Sequence, residues 1–95
     1  MNFEKDQLRK ALVSLAVERV LCDIGDPVYK KVIKQLSKDY NCYLPDCYEH
    51  PEYLNIVLKK LFGYSYITVV EAIKKELDDQ MIEKPIEIFV STLSE

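Results

Sequence analysis

The segment His50–Leu77, HPEYLNIVLKKLFGYSYITVVEAIKKEL, constrains the fold of this chain more than any other. Pro51 can open a helix, because its fixed φ and missing N–H cost little at the first helical position. His50 falls just outside, at the cap. Leu54, Val57, Leu58, Leu61 and Phe62 then recur at steps of three and four, which draws one apolar stripe along a helix. Gly63 follows the last stripe residue, where a left-handed stop is cheapest for glycine. Ile67, Val70, Ile73 and Leu77 repeat the spacing, so a second helix folds back on the first at Leu61-Phe62-Gly63. Each helix has an apolar face to bury and a wet face, and neither is stable alone.

The residues before this hairpin supply two more helices. From about Asn2 to Asp23 the chain reads as one long helix, with Asn2 as cap and Glu4 and Asp6 at the positive end of its dipole. Leu8, Ala11, Leu12, Leu15 and Ala16 mark one face. Val13, Val17, Val20, Leu21 and Ile24 extend the apolar surface around the helix, as expected of a central helix or of one with a face left for a partner. Gly25 ends it, and Asp26-Pro27 is a start signal for a second helix, to about Tyr40. Val28, Val32, Leu36 and Tyr40 form its stripe, with Ile33 beside them, and Asn41 can take the left-handed conformation that stops it. The loop Cys42–His50 follows, in which Leu44 is expected to plug the core and Pro45-Asp46 to turn.

Beyond the loop, the strand-favouring run Tyr64–Val70 is outweighed by the strongly helical AIKKELDD after it, and a helix over Ser65–Gln80 is expected. The last segment, EKPIEIFVSTL, reads as a short closing helix over Glu83–Leu93. An edge strand is its alternative, but no second strand is visible to pair with it. The predicted fold class is therefore all-α: a compact single-domain bundle of four helices plus a short C-terminal fifth. At 95 residues there is room for one core and no more.

Composition narrows the function. No apolar run approaches the roughly 18 residues of a membrane span, and the N-terminus MNFEKDQLRK is too charged for a signal peptide. A cytoplasmic location is expected, in which Cys22, Cys42 and Cys47 are free thiols. The net charge of −3 is uneven: −1 over residues 1–26, +3 over 27–75 and −5 over 76–95. Lys30, Lys34 and Lys38, with Lys31 beside them, suggest a nucleic-acid patch, but their four-residue spacing is also that of a solvated helix face. An acidic tail and a pI near 5.2 disfavour phosphate backbones. Nucleic acid is thus the lesser expectation.

With the order of signals laid out, a resemblance emerges. A long first helix ends at Gly25, a second ends in Leu36…Tyr40, and a short loop carries Leu44. A proline-started helix then ends in Leu61-Phe62-Gly63, and another ends in Lys75-Glu76-Leu77. Over roughly Gln7–Gln80 this resembles a group of small archaeal all-helical proteins, known as a Nitrososphaera-type output domain. The chain departs from that group at Tyr64-Ser65, where a small or glycine-rich link is usual, and in its cysteines and dense tyrosines. The resemblance implies a regulatory or interaction role in signalling and carries over no active-site residues.

Few constellations point to chemistry. Cys22, Cys42, Cys47 and His50 are the residue types of a tetrahedral zinc site, but C-x4-C-x2-H with one distant cysteine is not a usual finger spacing. A Cys42–Cys47 disulfide is a weaker option still. A cysteine nucleophile needs a base and an orienting group, and His50 is the sole histidine. Asp78-Asp79 reads as a solvated helix end. No catalytic residue and no cofactor is expected. The tyrosines are the more unusual feature: Tyr43, Tyr48, Tyr64 and Tyr66 fall in or beside the two turns, where their apolar faces and polar tips suit a contact with a protein partner or with a second copy.

Overall fold

The computed structural model describes residues 3–80 and 83–95. The proline and glycine punctuation sets the element order. Helix α1 covers Phe3–Ile24, α2 Asp26–Tyr40, α3 Pro51–Phe62, α4 Tyr66–Glu76 and α5 Lys84–Leu93. Short tight helical turns at Leu44–Tyr48, Gly63–Ser65 and Asp78–Gln80 join them, and no strand occurs among the described residues. The all-α expectation holds, and the last segment is helix, with Pro85 in its first turn. The cap proposed at Asn2 lies outside the described residues.

Local starts and stops follow backbone chemistry. Gly25, not Asp26, is the cap residue of α2, so Asp26 and Pro27 occupy its first two positions. Asn41 closes α2 in the left-handed conformation at φ 51°, and its N–H reaches the Ser37 carbonyl at 3.0 Å. Gly63 ends α3 at φ 58°, ψ −134°, a region open to glycine alone. α4 stops at Glu76, shorter than the expected helix to Gln80, and Leu77 turns its side chain into the core.

The core is made by five helix faces and one loop plug. α1 supplies Val13, Ala16, Val17, Val20 and Leu21, α2 supplies Val32 and Leu36, and the loop supplies Leu44 and Cys47. α3 adds Leu54, Val57 and Leu58, α4 adds Val69, Val70 and Ile73, and α5 adds Ile86, Phe89, Val90 and Leu93. α3 touches α2, α4 and α5, while α1 packs on α2, α4 and the Leu44–Tyr48 turn. The radius of gyration of 12.4 Å matches the roughly 12 Å of a well-packed chain of this length.

The wide apolar arc of α1 is only partly buried. α1 turns its valine face inward, and leaves Leu8 61% and Leu15 47% exposed. Both stripes have helical spacing, so periodicity could not choose between them. The valine face, joined by Ala16 from the other stripe, is on the side of α1 that meets α2 and α4. Ile67, expected in the α4 stripe, is exposed, and Val69 is buried in its place.

The buried polar group that periodicity missed is Asn55. Its Nδ2 donates to the Leu93 carbonyl at 2.8 Å and the Thr92 carbonyl at 3.3 Å. These are last-turn carbonyls of α5; the Thr92 carbonyl also accepts from the Glu95 N–H at 3.2 Å, so the Asn55 side chain of α3 caps α5 chiefly at Leu93. At the surface, Arg9 bridges Asp6 and Glu83 at 3.0 Å each, and Lys10 reaches Glu49 at 2.9 Å. These contacts tie α1 to the start of α5 and to the loop.

Two stability outcomes follow. Asn55→Ala should cost about 1–3 kcal/mol by urea unfolding, the penalty for leaving the Leu93 carbonyl unpaired. Asn55→Asp should cost more, since a carboxylate would face two carbonyl oxygens. At the glycines, Gly63→Ala should cost about 1–3 kcal/mol from backbone strain alone, because a Cβ there meets nothing within 4 Å. Gly25→Ala should change stability by less than about 1 kcal/mol, since its Cβ would make only ordinary contacts, the nearest at 3.8 Å.

Candidate functional site

The four residues of the suggested zinc set come to three different places. Cys22 is exposed near the end of α1. Cys42 and Cys47 are buried next to each other under the loop, and burial is the main cause that pushes both thiols up, with Asp46 adding to it. His50 stays outside the core, stacked on Tyr53 with ring centroids 4.8 Å apart, and its Nδ1 lies 3.2 Å from a Glu52 carboxylate oxygen. Tyr53 stacks in turn on Tyr40 at 4.3 Å, so the three rings form a column across the α2–α3 seam. Among the described residues, no group of three or more such ligands is placed to hold a metal. The recorded partner of His50 is a carboxylate, not a thiol.

The four turn tyrosines do not share one surface. Tyr43 and Tyr48 precede α3, while Tyr64 and Tyr66 follow it. Its 12 residues hold the two turns about 18 Å apart. Tyr64 stands at the tip of its turn, 98% exposed. Tyr66 is half-buried, with the Lys59 ammonium 5.2 Å from its ring centroid. Tyr48 is half-buried beside Arg9. Of the four, Tyr43 lines a concave surface.

That surface runs along the outside of α2. Tyr29, Lys30, Ile33, Lys34, Ser37, Lys38 and Tyr43 line a groove of about 500 Å³. The one-turn spacing of the lysines puts their ammonium groups along one rim, spread over about 12 Å of helix. Ile33 and Tyr29 form an apolar floor, both packed against the core. Tyr43 leaves the helix after the left-handed Asn41 and stands 73% exposed at one end. Its backbone N–H is held by the Asp46 carboxylate at 2.9 Å. Lys30 pairs with Asp26 at 3.0 Å, whereas Lys34 and Lys38 make no ion pair among the described residues. The lysine row was legible as a helix face, but its junction with Tyr43 required the chain reversal at Asn41.

A second hollow, of about 510 Å³, lies between the end of α1 and α4 and is lined by Val20, Ile24, Val69 and Ala72 with Asp23, Lys75 and Glu76 at its edge. Its rim charges are mixed, so it favours neither sign of ligand. No helix is long and apolar enough to cross a membrane among the described residues. No family model, curated protein or solved structure matches this chain.

The thiol environments predict graded reactivity. A short pulse of iodoacetamide on the folded protein should place a single adduct, at Cys22, as read by mass spectrometry. Cys42 and Cys47 should react only on unfolding, because a buried neutral thiol is neither accessible nor nucleophilic. Rapid labelling at either would overturn their placement.

Proposed function

We propose that this chain is a non-enzymatic protein-interaction module, and that the α2 groove is its contact surface. The partner that suits it is an acidic segment carrying apolar side chains, such as an amphipathic helix laid along the groove. The observation that carries this reading is the row of Lys30, Lys34 and Lys38 over an apolar floor closed by Tyr43. Lysines that are not already paired can steer an acidic ligand and fix its register, while Tyr43, Tyr29 and Ile33 supply the apolar contact. A regulatory role in signalling, as the resemblance to archaeal output-domain proteins implies, is compatible with such a module. So is a reducing cytoplasm, in which three free thiols are stable.

A single-stranded nucleic acid is the second reading, because tyrosine rings beside a lysine row are also the parts of a base-stacking platform. Two features favour the acidic protein segment. Tyr29 is half-buried, which leaves Tyr43 as the only freely stacking ring of the groove. The chain as a whole carries −3, which opposes a strand with one charge per nucleotide more than a segment bearing a few acids.

The two readings separate on capture of the tagged protein's ligands from cell extract, with and without nuclease, at low and high salt. The expected result is a retained protein that survives nuclease and whose retention falls, without being lost, at high salt, because the lysine contacts are screened while the apolar floor is not. Its retention should fall at least about tenfold, or about 1.4 kcal/mol, in Lys34→Glu/Lys38→Glu, and also in Tyr43→Ala. Recovery of nucleic acid that is lost at high salt would replace the first reading with the second. Equal retention by all three proteins would remove the groove from either.

A further inference from the structure

We propose that the outer face of α1 is a self-association surface, on which two copies of this chain pack α1 against α1, antiparallel, about a twofold axis between Ala11 and Leu12. The surface is separate from the α2 groove and does not depend on the function proposed for it.

Leu8, Ala11, Leu12 and Leu15 follow helical spacing along the side of α1 turned away from the valine face. Leu8 and Leu15 are exposed, and so is Ala11, while Leu12 is half-buried. The helix therefore carries two apolar faces and uses only one of them inside the domain. An apolar row of this length on a small domain is a contact surface more often than a solvated one.

The sequence of the row identifies the occupant as a second copy. Read backwards about its midpoint, the row maps onto itself: Leu8 falls on Leu15, and Ala11 on Leu12. Extended one turn at each end, the same reversal pairs Glu4 with Arg19, two exposed side chains of opposite charge in line with the row; Arg19 also stands 3.9 Å from Glu76 of its own chain, a long contact that leaves its guanidinium exposed. A twofold contact requires a surface complementary to itself, and this face has that property. An antiparallel pair sets Glu4 against the partner's Arg19 at both ends. A parallel pair would oppose Glu4 to Glu4 and Arg19 to Arg19, with like charges at each end of the seam. Lys5 and Glu18 flank the row at matching distances and give each end two acids and two bases in either orientation, so it is the in-line Glu4 and Arg19 that set the antiparallel choice. Ala11 at the centre lets the helix axes approach toward the short end of the 8–10 Å range.

The seam from Glu4 to Arg19 is about 22 Å long. A single helix pair of that length lies at the small end of specific interfaces, so the dimer is concentration-dependent.

Sedimentation equilibrium from micromolar to millimolar protein tests the proposal. The weight-average mass should rise from 11.1 kDa toward twice that value, and Leu8→Glu or Leu15→Glu should hold it at the monomer with helix content unchanged. Glu4→Arg and Arg19→Glu should each weaken the dimer several-fold, and the double variant should recover it. Orientation is read by crosslinking in a Cys22→Ser background. Leu8→Cys chains mixed with Leu15→Cys chains should form the mixed disulfide in preference to either homodisulfide when exchanged with oxidised glutathione, which is reduced as the bond forms. A monomer at every concentration would overturn the proposal, as would a dimer indifferent to Leu8→Glu and Leu15→Glu. Preferential Leu8→Cys homodisulfides, with no rescue by the charge swap, would overturn the antiparallel geometry.

Discussion

Burial of the α3 stripe is the constraint on which the rest of the domain depends. Leu54, Val57 and Leu58 are fully buried, and α3 is the helix that touches α2, α4 and α5 together. Removing each such side chain from water is worth roughly 1.5–3 kcal/mol, a large fraction of the stability of a small domain. The stripe has to be covered on several sides, and that need recruits the flanking helices. α4 is folded back on α3 by Gly63, α2 is set against it after the Asn41 turn, and α5 closes the remaining side with Ile86, Phe89, Val90 and Leu93.

Polar contacts decide how the covering helices are aligned. Asn55 is the most specific of them, since it donates to two terminal carbonyls of α5 from inside the core. An apolar residue in its place would keep α3 packed but would not say where α5 must end. The Arg9 and Lys10 ion pairs lie at the surface, where such pairs contribute little each. Their role is orientation, holding the first half of α1 against the loop and the start of α5. The His50–Tyr53–Tyr40 column does comparable work between α2 and α3, as its rings lie nearly parallel, at 7° and 11°.

With the core satisfied, two surfaces are left over, and they differ in chemistry. The α2 groove has an apolar floor under a basic rim, which favours an anionic ligand. The α1 row is apolar along its length, with Glu4 and Arg19 in line with it at its two ends, which is the basis of the self-association proposed for it. Both arise from helices with more apolar residues than the core can take. In a domain of this size a helix buries one side, so a second apolar side faces outward.

Helix number, order and most termini were determined by local chemistry and were legible in the sequence, the end of α4 at Glu76 being the exception. Proline at helix starts, Asn41 and Gly63 at helix ends, and three- and four-residue spacing act over a turn or two of chain, and those distances are fixed by the backbone. Leu44 was legible as a core plug and is buried, but it lies in the tight helical turn Leu44–Tyr48 and is not extended before Pro45; the extended residue is Tyr43. Tertiary structure alone decided which of two equally periodic faces of α1 went inside, that Ile67 gave way to Val69, and that Asn55 would be buried. It also decided that the tyrosines before and after α3 would stand at opposite ends of it, and that Tyr43 would close the lysine groove. Each of these depends on which helix lies across the face in question. That is a competition among residues far apart in the chain for a limited interior, and local spacing carries no record of its outcome.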